Sequence, residues 1–132
     1  MIVVDASVVA DFLVVRDETG AWAAEQVASA DSLHAPHLLD VEVTSVVRRW
    51  ALAGEISSRR GRLALGDLAD LRVTRYPTSP FVDRIWRLRE NLTAYDAAYV
   101  ALAEALGAPL LTTDRRLAAA GAHGARVVTF PG

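Results

Sequence analysis

Cysteine is absent from this sequence, and so is lysine: all 14 basic residues are arginine. Without cysteine there can be no disulfide framework and no thiolate metal site, which leaves the cytoplasm as the expected location. Without lysine the phosphate-binding loop that ends in Gly-Lys-Ser/Thr cannot be written. Long apolar runs are missing as well. No stretch approaches the ~18 residues that would span a bilayer, so no membrane association is expected. The N-terminus has no basic leader, and Asp5 and Asp11 interrupt its apolar stretch, which argues against a secretory signal. Net charge is −2, so no global basic field marks a nucleic-acid binder, and any such contact must be local.

What is present is a chain of 132 residues, 52% of them hydrophobic, enough for one domain over 1–132 with its own core. The pattern alternates short apolar runs with helical periodicity. Ile2 to Val4 reads as a buried strand, with helices over Ala6–Val15 and Glu18–Ala30. Leu33 to Ala35 is a weaker strand, and Pro36 suits the first turn of the next helix, where its missing N–H costs nothing. Leu39, Val43, Val46 and Trp50 recur there at helical spacing as a core stripe, and Gly54 is a stop. Ser57 or Ser58 caps a helix to about Asp70, and Arg72 to Arg75 forms a strand. Pro77 and Pro80 mark a turn before a helix to about Glu90. Thr93 caps a helix over Ala94–Leu106 that Gly107 ends. A strand over Pro109–Thr112, a short helix over Arg115–Ala120 and a strand over Arg126–Thr129 complete the chain. Such alternation implies a parallel sheet covered by helices on both faces.

That topology gathers four carboxylates. In a parallel α/β sheet every strand ends at one edge, and helices leading into or out of strands present their N-termini there. Asp5 ends the first strand and Asp114 the fourth. Asp96 lies in the first turn of the helix that leads into the fourth. Glu42 follows the second strand; counted from Pro36 it sits in the second turn, roughly 9 Å along the axis. Ligand sites in open α/β sheets lie at this edge, where the strand order reverses. Taken singly, Asp5 and Asp114 fit helix caps, Asp96 fits a weakened capping box after Thr93, and Glu42 fits a solvated helix position. Yet the helix carrying Asp96 is apolar nearly all round, and a buried carboxylate needs a partner. Four like charges at close range repel, and a divalent cation cancels the repulsion. Oxygen ligands without histidine or cysteine point to Mg²⁺ or Mn²⁺, the setting in which water is activated and phosphodiester charge is shielded.

Three segments, VDAS at the N-terminus, APHLLDVEVTSVVRR, and YDAAYVALAEALGAPLLTTDRRL, carry a resemblance to the PIN domain, specifically to the VapC type of ribonuclease toxin. It covers essentially the whole chain, and the last segment is the most specific. The resemblance implies a five-stranded parallel sheet in the order 3-2-1-4-5 flanked by helices, which would make Asp5 and Asp114 neighbours. It implies that Asp5, Glu42, Asp96 and Asp114 form an acidic catalytic quartet, with Asp5, Asp96 and Asp114 as metal ligands. Ser7, Thr112 and Thr113 would be supporting hydroxyls. Ser45 stands where many relatives carry asparagine. It further implies a Mg²⁺- or Mn²⁺-dependent endoribonuclease acting on RNA, a homodimer, and neutralisation by a cognate antitoxin. A PIN nuclease of RNA processing and a catalytically inactive RNA- or protein-binding module are the alternatives.

Other motifs carry less. His34 and His37 straddle a strand–proline junction and read as structural or solvated. No GxSxG occurs. Trp22, Trp50 and Trp86 fit helix packing better than base stacking. A phosphoacceptor receiver domain would use a lysine that this chain lacks, and a metal-dependent adhesion motif of the form DxSxS fails at Val9. Between Arg48 and Arg62 five arginines face one acid, Glu55, which is either a solvated hairpin or a phosphate-binding patch.

Overall fold

A computed structural model describes all 132 residues. The strands are β1 (Ile2–Val4), β2 (Leu33–Pro36), β3 (Val73–Tyr76), β4 (Leu110–Thr112) and β5 (Val127–Thr129). The helices are α1 (Ala6–Leu13), α2 (Glu18–Ser29), α3 (Leu39–Leu52), α4 (Ser58–Asp70), α5 (Val82–Arg87), α6 (Ala94–Leu106) and α7 (Arg115–Ala119), and a 3₁₀ turn over Ser79–Phe81 leads into α5. All five strands pair in parallel, in the order β3-β2-β1-β4-β5, as anticipated. The order reverses between β1 and β4, so the switch point lies where Asp5 and Asp114 leave the sheet.

The layers follow from which faces are apolar. α1 packs on α2, α3 and α4, while α5 packs on α6, and α6 lies across β1, β2 and β4. Val3, Val4, Leu110 and Leu111 are buried in the middle of the sheet, the double burial typical of parallel strands. Seven consecutive residues of α6, Ala97 to Ala103, are buried, so the helix that is apolar all round is indeed enclosed. It stops at Gly107, which takes a left-handed φ of 61° that a side chain would resist.

Two local expectations need correcting. Pro36 is the last residue of β2 and not the start of a helix. It pairs with Tyr76, and the His37 N–H donates to the Tyr76 carbonyl at 2.8 Å, so the ladder continues past the residue that cannot donate. α3 therefore begins at Leu39, which puts Glu42 in its first turn and at the strand edge, not a turn further down. The core stripe of α3 is Leu39, Val43 and Val47; Val46 and Trp50 only flank it.

Candidate active site

The end of β1 is tied to the end of β4 by a short polar lattice. The Asp5 N–H donates to the Leu111 carbonyl at 2.9 Å. Asp5 Oδ1 accepts the Ala6 N–H at 2.7 Å, and Oδ2 accepts the hydroxyls of Thr112 at 2.7 Å and Ser7 at 3.0 Å. These hydroxyls are held in turn: Thr112 Oγ1 accepts the Asp114 N–H at 3.0 Å and Ser7 Oγ accepts the Thr113 N–H at 3.1 Å. Asp5 is thus fixed in place, only 8% exposed, across the switch point. Asp114 serves α7 as its cap, with Oδ1 accepting the Arg116 N–H at 2.9 Å.

Asp96 is not a cap. The Thr93 hydroxyl accepts the Asp96 N–H at 3.2 Å, and the Asp96 carboxylate, half-buried in the first turn of α6, caps no backbone N–H. Glu42 enters from the first turn of α3. Its Oε1 is buried without a hydrogen-bond partner, and so is the hydroxyl of Tyr99, one turn along α6 from Asp96. The two groups are close enough to influence one another, but no hydrogen bond of normal geometry joins them.

The four acids feel one another. Burial raises the Asp5 carboxyl above the usual range, opposed by the Thr112 and Ser7 hydroxyls and reinforced by the charge of Asp96. Burial raises Glu42, with Asp5 and Asp96 adding to it. Burial and then Asp114 raise Asp96. Asp114 differs: burial would raise it, but the side chain and backbone of Arg116 outweigh that and hold it low. The structure therefore brings all four predicted acids to one edge, with Asp114 reaching only the Asp96 side of the group.

No three of these side chains close tightly around one point as they stand. The Asp114 carboxylate is turned onto Arg116, with contacts of 3.3 and 3.4 Å. The donor set still fits a hard divalent cation. All the candidate ligating atoms are oxygens, Asp5 is buried and Glu42 and Asp96 half-buried without an ion pair, and Glu42 Oε1 is orphaned. Asp5, Asp96 and Asp114 could hold Mg²⁺ or Mn²⁺, with Glu42 beside them.

Some of the surroundings were not read from the sequence. Tyr99 shows there only as a break in an apolar helix; its spacing of three from Asp96 is the signal that both face one way. Arg116 lies two residues beyond Asp114. With Asn91, Leu92, Thr93, Asp96, Asp114 and Leu117 it lines a cavity of about 230 Å³ that opens on the acidic edge. Trp22 and Trp50 pack against the core, but Trp86 is 64% exposed, contrary to the packing role expected for it. His34 is buried and joined to Ser32 Oγ at 2.8 Å and Tyr76 Oη at 2.7 Å, a structural link between β2 and β3. Of the arginine patch, Arg60 is fastened to the Leu13 carbonyl at 3.0 Å, and Glu55 is neutralised by Arg16 at 3.1 Å. Arg48, Arg49, Arg59 and Arg62 remain exposed.

With the sheet order and the acidic edge in view, comparison with known proteins decides the family. The chain matches the PIN domain over residues 2–130. It belongs to the PIN-domain family. A VapC ribonuclease of Mycobacterium bovis is 44% identical over 131 residues, covering 99% of each chain. Ribonuclease VapC1 of Mycobacterium tuberculosis is 48% identical over 119 residues, 89% of each chain. Among solved structures, the sarcin-ricin loop cleaving toxin VapC20 of Mycobacterium tuberculosis has the same fold, with a TM-score of 0.72 at 16% identity over 90% of this chain and 94% of that one. VapBC2 of Rickettsia felis, bound to a DNA fragment from its promoter, gives 0.65 at 12% identity over 98% of each chain. No helix of this PIN domain is long and apolar enough to cross a membrane.

Proposed function

We propose that this PIN domain is a Mg²⁺- or Mn²⁺-dependent endoribonuclease and the toxin of a VapBC-type toxin–antitoxin pair. The observation that carries the reading is the set of carboxylates at the sheet's switch point, Asp5 buried and Glu42 and Asp96 half-buried, none of which forms an ion pair. A folded protein tolerates such repulsion where a ligand repays it. The curated relatives that match this chain nearly end to end are VapC ribonucleases, and a solved structure of the same fold is a toxin–antitoxin complex from Klebsiella pneumoniae.

Each residue has a separate task in this account. Asp5 and Asp96 would hold the cation, with Asp114 as a further ligand. Ser7 and Thr112 fix the rotamer of Asp5 by donating to Oδ2. Glu42 orients the attacking water and takes its proton; burial raises its affinity for that proton, as a general base requires. A bound divalent cation supplies positive charge for the pentavalent phosphate and lowers the pKa of water. Exposed apolar side chains at Val41, Leu52, Leu63, Val82 and Trp86 support assembly with a second copy and with an antitoxin.

The test is direct. Purified protein should cut RNA internally with Mg²⁺ or Mn²⁺ and stop when chelator is added. Sequencing RNA ends after induced expression should show discrete new termini, and co-expression of the protein encoded beside it should suppress them. Undiminished cleavage in excess chelator refutes the metal site; intact RNA under all conditions refutes the nuclease.

A further inference from the structure

The Asp114–Arg116 contact is looser than the two bidentate arginine–carboxylate pairs of the molecule, and unlike the exposed Arg87–Asp83 pair it lies beside the acidic edge. Arg75 grips Asp40 with two bonds of 2.8 Å, and Arg84 grips Glu104 in the same way. Arg116 reaches Asp114 only at 3.3 and 3.4 Å, with its side chain 92% exposed. Its guanidinium is not needed to start α7, because the Arg116 backbone N–H already makes the capping bond. It lines the cavity beside Asp96 and acts on the charge of Asp96 as well as that of Asp114. A loosely held, always-charged fork at the mouth of an acidic site is built to change partners.

On the nuclease reading above, we infer that Arg116 has two anionic partners in turn. It neutralises Asp114 while the site holds no cation, and it passes to a phosphate of the RNA backbone once a divalent cation has claimed Asp114. The exchange prevents the acidic edge from repelling RNA at the moment of binding, since the freed charge faces the cavity where a backbone phosphate must lie. Arginine suits the second role because its planar fork matches two phosphate oxygens.

Two measurements on full-length protein test this. In the first, Mn²⁺ is titrated by calorimetry, without RNA, into wild type, Arg116→Gln and the control Arg115→Gln. Arg116→Gln should bind Mn²⁺ about two- to fivefold more tightly than wild type, the scale of one exposed ion pair removed as a competitor, and Arg115→Gln should match wild type. In the second, RNA binding is followed by anisotropy against salt, with Glu42→Gln added to each protein so that the strand is not cut. With Mn²⁺ present, Arg116→Gln should bind more weakly, and its salt slope should be shallower by about 0.7, one phosphate contact on a single strand; in chelator, where only the bared Asp114 charge repels the strand, the defect should be smaller. Equal or weaker Mn²⁺ binding by Arg116→Gln overturns the exchange, as does an RNA defect of equal size in chelator. Failure of wild type itself to bind Mn²⁺ overturns the nuclease site and this inference together, an outcome distinct from a normal wild type with an unaltered variant.

Discussion

Two groups of carboxylates in this chain differ in how they are housed. Asp40 and Glu104 each meet an arginine through two bonds of 2.8 Å, and Glu104 also accepts the Gly124 N–H at 2.7 Å. The Arg84 guanidinium holds Glu104 below the usual carboxylate range. Asp5, Glu42 and Asp96, at the switch point, have hydroxyls, a phenol and one another for company, and burial pushes all three up. The first group fastens α3 to β3 and α5 to α6. The second destabilises the metal-free fold, since ionised acids gathered in a partly dry edge repel. Asp40 and Glu104 are paired, whereas Asp5, Glu42 and Asp96 form no ion pair.

The sharpest way to break this contrast is to remove one acid from each group. Glu42→Gln keeps the shape but removes the proton acceptor, so cleavage should fall by about 10²-fold or more, while the metal-free melting temperature stays level or rises. Kinetics and melting on one preparation check it; a loss of stability matching a paired acid would place Glu42 in the structural group. Glu104→Ala should do the reverse. Removing three accepted hydrogen bonds from a mostly buried carboxylate costs about 1–2 kcal/mol, read by denaturant unfolding, and the folded fraction should cleave at the wild-type rate.

Acidity separates the groups more gently. Asp5, Glu42, Asp96 and also Asp11, which burial and then Asp17 push up to about 6, hold their protons more tightly folded than unfolded. Between the unfolded and folded values the folded chain binds more protons, so stability falls as pH rises through that window. The metal-free protein should therefore unfold at higher denaturant near pH 5 than near pH 7. Glu104 and Asp114, whose values are lowered, work in the opposite sense, but their contribution is lost only below the ordinary carboxylate range. Asp11→Asn should flatten the curve and add about 1 kcal/mol or less at pH 7, Asp11 being only half-buried and screened by solvent. A profile that rises from pH 5 to pH 7 would contradict the repulsion. The smallest effect is expected at the arginine patch: Arg59→Gln with Arg62→Gln should weaken RNA binding modestly and reduce its salt slope without altering the cleavage motif, because phosphate contacts carry no sequence information.

How much of this was legible in the sequence depends on the range of the signal. The ends of β1 and β4 could be read because an apolar run, an aspartate and a following helix lie next to one another in the chain. α6 could be read from Thr93, its apolar composition and Gly107. The strand order came with the family resemblance, since hydrophobic periodicity says nothing about which strands pair. Pro36 was misplaced because its strand character comes from pairing with Tyr76, 40 positions away, and that error pushed Glu42 a turn too far along. Of the site itself, the four acids could be nominated from their positions at strand and helix ends. Tyr99 and Arg116 could not, because a tyrosine in an apolar helix and one arginine among 14 become distinctive only when the folded edge shows what they face. The exposure of Trp86 is not legible in the sequence, because composition cannot tell which face of the short helix α5 meets solvent.

The most direct test of the central claim, that the unpaired acids await a divalent cation, is a pair of melting curves for wild type and Asp96→Asn, with and without millimolar Mg²⁺. The account predicts that the metal-free variant melts at or above wild type, because one repelling charge is gone. It predicts that Mg²⁺ raises the wild-type melting temperature by linkage and moves the variant much less. A variant that melts well below wild type without metal, and gains as much from Mg²⁺ as wild type does, would contradict it.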